Sequence, residues 1–87
     1  MAPTYIIPAL ARSFEVIECI AKQPDGLTFS EIVTRLQAPK SSIFRILHTL
    51  EAGSWVEKNG DRYALGYMLI HYGVTAPVND ARNRRGD

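Results

Sequence analysis

The sequence predicts a mainly α fold that ends in one small β-hairpin, and three observations predict it. Apolar residues recur at helical spacing through the first half of the chain. A Thr-x-x-Glu box and a proline divide that half into three helices. Between Trp55 and Leu65 the period shortens around an Asn-Gly pair. At 87 residues the chain makes one domain with one modest core. Apolar residues at 46% and charged residues at 22% are ordinary globular values and exclude whole-chain disorder.

Residues 1–7 read as an extended lead-in, and Pro8 suits the first turn of a helix, where its missing N–H costs nothing. From Ala9 to Gln23, Leu10, Phe14, Ile17 and Ala21 form one apolar stripe, and Ala9, Val16 and Ile20 form a second beside it. Together they cover an arc of about 160°, wider than one small core needs. Either the helix has neighbours of its own chain on two sides, or the strip of Ala9, Val16 and Ile20 buries against a partner chain.

Pro24-Asp25-Gly26 then stops the helix. Thr28 and Glu31 have the spacing of a capping box, with Leu27 and Ile32 placed as a hydrophobic staple. The second helix runs to Leu36 with Phe29, Ile32, Val33 and Leu36 on one face. Gln37 and Ala38 follow, and Pro39 opens a third helix that continues to about Ala52, before Gly53. That helix is roughly 20 Å long.

Trp55 to Lys58 and Asp61 to Leu65 read as two strands joined by Asn59-Gly60 in a type I′ turn. Gly66 ends the second strand. Tyr67 to Tyr72 is a short helix with Leu69 and Tyr72 inward, broken by Gly73. Residues 74–87 lack periodicity and read as a disordered tail, which limits the domain to residues 1–73.

Net charge is only +1, so the total announces neither nucleic acid nor membrane. The distribution says more. From Pro8 to Glu31, Arg12 and Lys22 face Glu15, Glu18, Asp25 and Glu31, a net of −2. From Arg35 to Arg62, Arg35, Lys40, Arg45, Lys58 and Arg62 outweigh Glu51, Glu57 and Asp61, a net of +2. No apolar run approaches the roughly 18 residues of a membrane span, and no secretory signal is visible. The single Cys19 excludes an internal disulfide, fits a reducing cytoplasm, and reads as an unreactive thiol on the polar side of the first helix. No metal-ligand spacing, phosphate loop or nucleophile–base–acid set can be assembled, so neither cofactor nor catalytic residue is expected and an enzyme is not.

Two short helices joined by a tight turn and followed by a hairpin make a winged helix-turn-helix: a three-helix core, a two-stranded wing and a short C-terminal helix. On the third helix Ile43, Ile46, Leu47 and Leu50 cluster on one side and must pack inward. Ser41, Phe44, Arg45 and His48 fall opposite, with Lys40 and Ser42 at the N-terminal flank. An α-helix fits the major groove, where Arg45 can fork onto guanine O6 and N7 and the short serines let the backbone approach.

The plainer readings stand beside these. Lys40 and Arg45 are otherwise solvated charges, and His48 is a groove contact or a surface residue. Phe44 packs at the core edge, meets a thymine methyl, or does neither. Lys58 and Arg62 keep the hairpin tip soluble, or hold phosphate or minor groove as a wing. Arg12 is a surface residue or a phosphate contact. Trp55 and Tyr63 form the wing base, or stack a small molecule, and His71 is structural or a surface residue.

The string IIPALARSFEVIECIAK, followed by GLTFSEIVTRLQAPKSSIFRILHTLEAGSWVEKNGDRYALGYMLIHYG, resembles the N-terminal DNA-binding domain of the IclR family of bacterial transcriptional regulators. The resemblance covers about residues 5–73 and is most specific at Pro39–Leu47 and Tyr63–Gly66. It implies a winged helix-turn-helix that binds operator DNA as a dimer in the cytoplasm, with Lys40, Ser42 and Arg45 on DNA. It also implies that the first helix and the post-wing helix pair subunits, which adds Leu69 and Tyr72 to Ala9, Val16 and Ile20. Gln37 and Ser54 stand where the family usually has glycine, and Gly53 comes one residue early. The family's larger effector-binding domain is not expected within these residues, so effector sensing is not transferred.

The expectation is therefore sequence-specific binding of double-stranded operator DNA by a homodimer, with residues 39–52 in the major groove and 55–65 as the wing. Alternatives are a winged helix that binds protein without DNA, through Phe44, His48 and the apolar strip, and one that binds RNA.

Overall fold

Pro8 opens the first helix as expected, and α1 spans Pro8–Ala21 in a computed structural model that describes residues 5–75 and 77. The remaining elements are β1 (Leu27–Thr28), α2 (Phe29–Leu36), α3 (Lys40–Ala52), β2 (Val56–Asn59), β3 (Arg62–Leu65) and α4 (Tyr67–Thr75). The core is where α1, α2 and α3 meet the sheet: Val16 and Ile20 from α1, Ile32 from α2, Ile43, Ile46 and Leu47 from α3, and Leu27, Val56 and Tyr63 from the strands.

The two strips on α1 exchange the roles that a partner-chain reading gives them. Val16 and Ile20, expected as dimer contacts, are 0% and 1% exposed inside the protomer's own core. Leu10 and Phe14, from the first stripe, stand 50% and 56% exposed. Both strips repeat at helical spacing, so periodicity alone gives their existence and not their assignment. Cys19 belongs with the core face, half-buried against it, and not with the polar side.

The entry to α2 is built as the sequence indicates. The Glu31 amide donates to the Thr28 hydroxyl at 3.1 Å, and the Thr28 amide donates to the Glu31 carboxylate at 2.9 Å. Leu27 and Ile32 are both buried beneath this box. Gln37 then ends α2 in the left-handed region, φ 52° and ψ 45°. Pro39 is the residue before α3 and not its first residue, with extended φ and ψ that turn the chain between the helices. Ala38 is sealed in that turn.

The sheet has three strands, ordered β1–β3–β2, where a two-stranded wing is expected. The added strand, β1, is the residue pair leading into α2, with Leu27 opposite Tyr63 and Thr28 opposite Arg62. The hairpin tip also differs. Asn59 pairs with Arg62, so the turn residues are Gly60 and Asp61 rather than Asn59 and Gly60. Of the two, Gly60 alone has a positive φ, 64°, which is the type II′ pattern and not type I′. Moving the turn by one residue shifts the pairing by two and leaves the same side chains facing inward, so alternation does not distinguish the two registers.

After the wing, α4 continues through Gly73 to Thr75, two residues beyond the expected domain boundary. Tyr72 is exposed rather than inward, although its ring stacks on Trp55 with centroids 5.7 Å apart. Leu69 is half-buried. Most of the expected tail lies outside the described residues. No helix of the described residues is long and apolar enough to cross a membrane.

Candidate nucleic-acid interface

The outer face of α3 is fixed by what its inner face buries. Ile43, Ile46 and Leu47 are sealed in the core, which turns Ser41, Phe44, Arg45 and His48 outward at 100° per residue. All four are exposed, as is Lys40, while Ser42 is half-buried. Phe44 is 59% exposed, so it is not a core-edge residue. Its ring lies against that of His48 one turn later, 6.1 Å between centroids and 16° from parallel.

No side chain caps the start of α3. Its first amides therefore lack an intrahelical or side-chain acceptor and point past Lys40, an arrangement that favours an anion. Lys40 and Arg45 form no ion pair among the described residues. The Arg45 carbonyl accepts from the Thr49 hydroxyl at 2.8 Å, which satisfies Thr49 within the helix.

Arg12 lies nearer this face than its sequence position suggests. A groove of about 690 Å³ runs between the start of α1 and α3, with Arg12 and Ser13 on one wall and Ser42, Arg45 and Thr49 on the other. Ile7, Leu10 and Ile46 make part of it apolar. Ser13 and Thr49 escape a reading of the sequence because their place depends on how α1 crosses α3. The only local signal is that they lie one and four residues from Arg12 and Arg45. The Arg12 guanidinium is also paired with Glu15 at 3.2 Å.

The wing divides its two cations. Lys58 is exposed, with its ammonium 5.7 Å from the centroid of Tyr63, its partner across the hairpin. Arg62 is spent on the protein itself: its guanidinium donates to the Gly26 carbonyl at 3.1 Å and lies 3.6 Å from the Glu31 carboxylate. It ties the loop before β1 to the capping box, a role that neither the wing-contact nor the soluble-tip reading includes. The same geometry holds the Glu31 carboxyl below its usual range. The Thr28 amide is the largest cause, burial opposes it, and Arg62 adds to it.

Elsewhere the structure sorts the remaining candidates. Tyr63 is buried and Trp55 half-buried at the wing base. His71 is drawn into α4 packing, its Nδ1 3.4 Å from the Tyr67 hydroxyl and its ring edge-on to Tyr72. Ala9 is exposed beside Leu10. Tyr67, Ile70 and Val74 give α4 a second exposed apolar face.

Comparison with known proteins returns one family, the IclR helix-turn-helix domain, over residues 9–60. Among solved structures, an IclR transcriptional regulator from Alicyclobacillus acidocaldarius is 32% identical with a TM-score of 0.75, over 83% of this chain and 30% of that one. An IclR family transcriptional regulator from Brucella abortus is 27% identical with a TM-score of 0.71, over 79% of this chain and 27% of that one. The Agobacterium tumefaciens repressor BlcR shares the fold at 20% identity and a TM-score of 0.71, over 93% of this chain and 36% of that one. The chain thus spans about a third of the length of these relatives. No curated protein sequence matches it.

Proposed function

Because the chain belongs to the IclR helix-turn-helix family of DNA-binding transcription regulators, we propose that it is the operator-reading part of such a regulator, with α3 in the major groove. One observation carries this reading: the buried side of α3 leaves Ser41, Arg45 and His48 in one exposed row with Lys40 at its head. Arg45 takes guanine through O6 and N7. Ser41 and Ser42 keep the backbone close, while Lys40, and Lys58 on the wing, hold phosphates. Arg12, across the groove from Arg45, is a further phosphate contact once it exchanges Glu15 for DNA. Arg62 is left out of the interface, since its guanidinium is engaged with Gly26 and Glu31.

A single module of this size buries about 600–1,000 Å² on DNA, too little for high selectivity. We therefore read the working unit as a homodimer acting on cytoplasmic DNA. The exposed ridge of Leu10 and Phe14, with the apolar face of α4, meets a second copy. Two recognition helices then sit on half-sites about 34 Å apart or a multiple of it. Effector sensing is not assigned to these residues, and nothing in the reading asks for a catalytic group or cofactor.

Selection of bound sites from random duplex DNA tests the whole reading. An enriched inverted repeat supports recognition and symmetry together. A pool that stays random, with weak binding even at low salt, overturns it in favour of a protein-binding winged helix.

A further inference from the structure

We propose that Phe44 reads the 5-methyl group of a thymine beside the base pair that Arg45 contacts, so that each half-site requires one methylated pyrimidine edge. This rests on α3 being the recognition helix and deepens that reading by adding a specificity-determining residue.

Consecutive residues on an α-helix point about 100° apart, so Phe44 and Arg45 leave the outer line of α3 on opposite flanks. Arg45 turns to the flank shared with α1, where it helps line the groove with Arg12 and Ser42. Phe44 takes the other flank, and the two side chains address different base pairs. The phenyl ring is 59% exposed on a face otherwise made of Lys40, Ser41, Arg45 and His48. Exposed apolar area of that size costs the free protein free energy that a dry contact recovers. Within the major groove, the apolar group that B-DNA presents is the C5 methyl of thymine.

The neighbouring ring makes the contact directional. Helical side chains lean toward the N-terminus, which brings His48 over Phe44 at i, i+4. With the rings 16° from parallel and their centroids 6.1 Å apart, His48 flanks the phenyl group and leaves most of Phe44 outward.

The test uses the 87-residue chain with a duplex enriched by selection, and with versions of it in which each thymine in turn is replaced by deoxyuridine. That replacement removes the methyl and keeps every hydrogen-bonding group. At one position per half-site, wild-type affinity falls about fourfold, the worth of one methyl group taken out of water. Phe44→Ala, whose folding is checked by circular dichroism, binds the thymine and uracil duplexes alike. The proposal is overturned if the wild type ignores every uracil, if Phe44→Ala still discriminates, or if the enriched half-site contains no thymine. A library from which nothing is enriched gives a separate result: it removes the recognition-helix reading, and this proposal with it.

Discussion

The indole of Trp55 lies so close over Gly53 that a Cβ on Gly53 would stand 2.7 Å from the ring carbon Cδ1. The glycine at this corner therefore serves contact and not backbone freedom: its own φ is −96°, and the left-handed residue is Ser54, with φ 65°. Retreat of the indole is opposed by Tyr72 of α4, whose ring stacks on it. Gly53→Ala is expected to destabilise the domain by about 1–3 kcal/mol through overpacking. Ser54→Gly removes left-handed strain of roughly 1–2 kcal/mol and adds unfolded-chain entropy of about 0.4–1 kcal/mol, for a net gain of up to about 1.5 kcal/mol. Urea unfolding midpoints should move in opposite directions for the two variants.

Acid stability should carry the signature of Glu31. Its carboxyl is held below the ordinary glutamate range, chiefly by the Thr28 amide and further by Arg62, against the opposing effect of burial. A depressed folded-state pKa means that the unfolded chain binds the proton first. The stabilisation is full above the unfolded-state value and is lost as pH falls through the lower folded-state value. Glu31→Gln should therefore flatten the acid limb of the stability–pH curve in that window and leave its neutral and basic parts parallel to wild type. An acid limb as steep as that of the wild type would show that other carboxylates set it. Thr28→Ala, which removes the cap, should cost about 1 kcal/mol at neutral pH.

Local chemistry explains which parts of the fold were legible. The capping box, Pro8 at the start of α1 and the inward face of α3 each depend on residues within one or two turns, and those are the parts that agree with the structure; Pro39 marks the same boundary but stands one residue before α3. The β1 pair is too short to show a period of two, and its pairing depends on Tyr63 and Arg62, 34 or more residues away. The role of Arg62 was hidden for the same reason. Its partners, Gly26 and Glu31, are brought to it only by that third strand. On α1 the residues gave two apolar strips, but choosing between them needs the direction from which α2 and α3 pack. Gln37 is the contrary case: it stands where the family resemblance places a glycine, and the left-handed φ that such a glycine would adopt is there.

Salt dependence should now be shallower than the basic-residue count suggests. Of the five basic side chains considered for DNA, Arg62 is engaged with its own chain and Arg12 is paired with Glu15. Arg45 is assigned to a base, which leaves Lys40 and Lys58, with Arg12 a third contact when its pair opens. Two to three phosphate contacts per protomer give a dimer about 4–6, and log K against log[salt] should fall with a slope of about −4 to −5. Lys40→Ala and Lys58→Ala should each reduce that slope by about 2 in the dimer, one contact from each protomer. Arg62→Ala should leave the slope unchanged and lower stability instead. Arg45→Ala should cost about 1–3 kcal/mol and relax preference at one base pair; equal loss on every sequence would reassign Arg45 to phosphate.

The two apolar strips of α1 predict different failures when each is disrupted. Ile20 is 1% exposed in the protomer core, so Ile20→Ala should destabilise the fold by about 2–5 kcal/mol whatever the protein concentration. Phe14 is 56% exposed and, among the described residues, outside the core cluster, so Phe14→Glu should leave the monomer's helical circular dichroism intact. If the ridge of Leu10 and Phe14 meets a second copy, a charge there is driven into a dry interface, and sedimentation should show a wild-type dimer and a Phe14→Glu monomer. Loss of the dimer should also weaken operator binding far more on an inverted repeat than on a single half-site, because only the repeat rewards two linked recognition helices. A Phe14→Glu protein that still dimerises would move the interface to the α4 face of Tyr67, Ile70 and Val74.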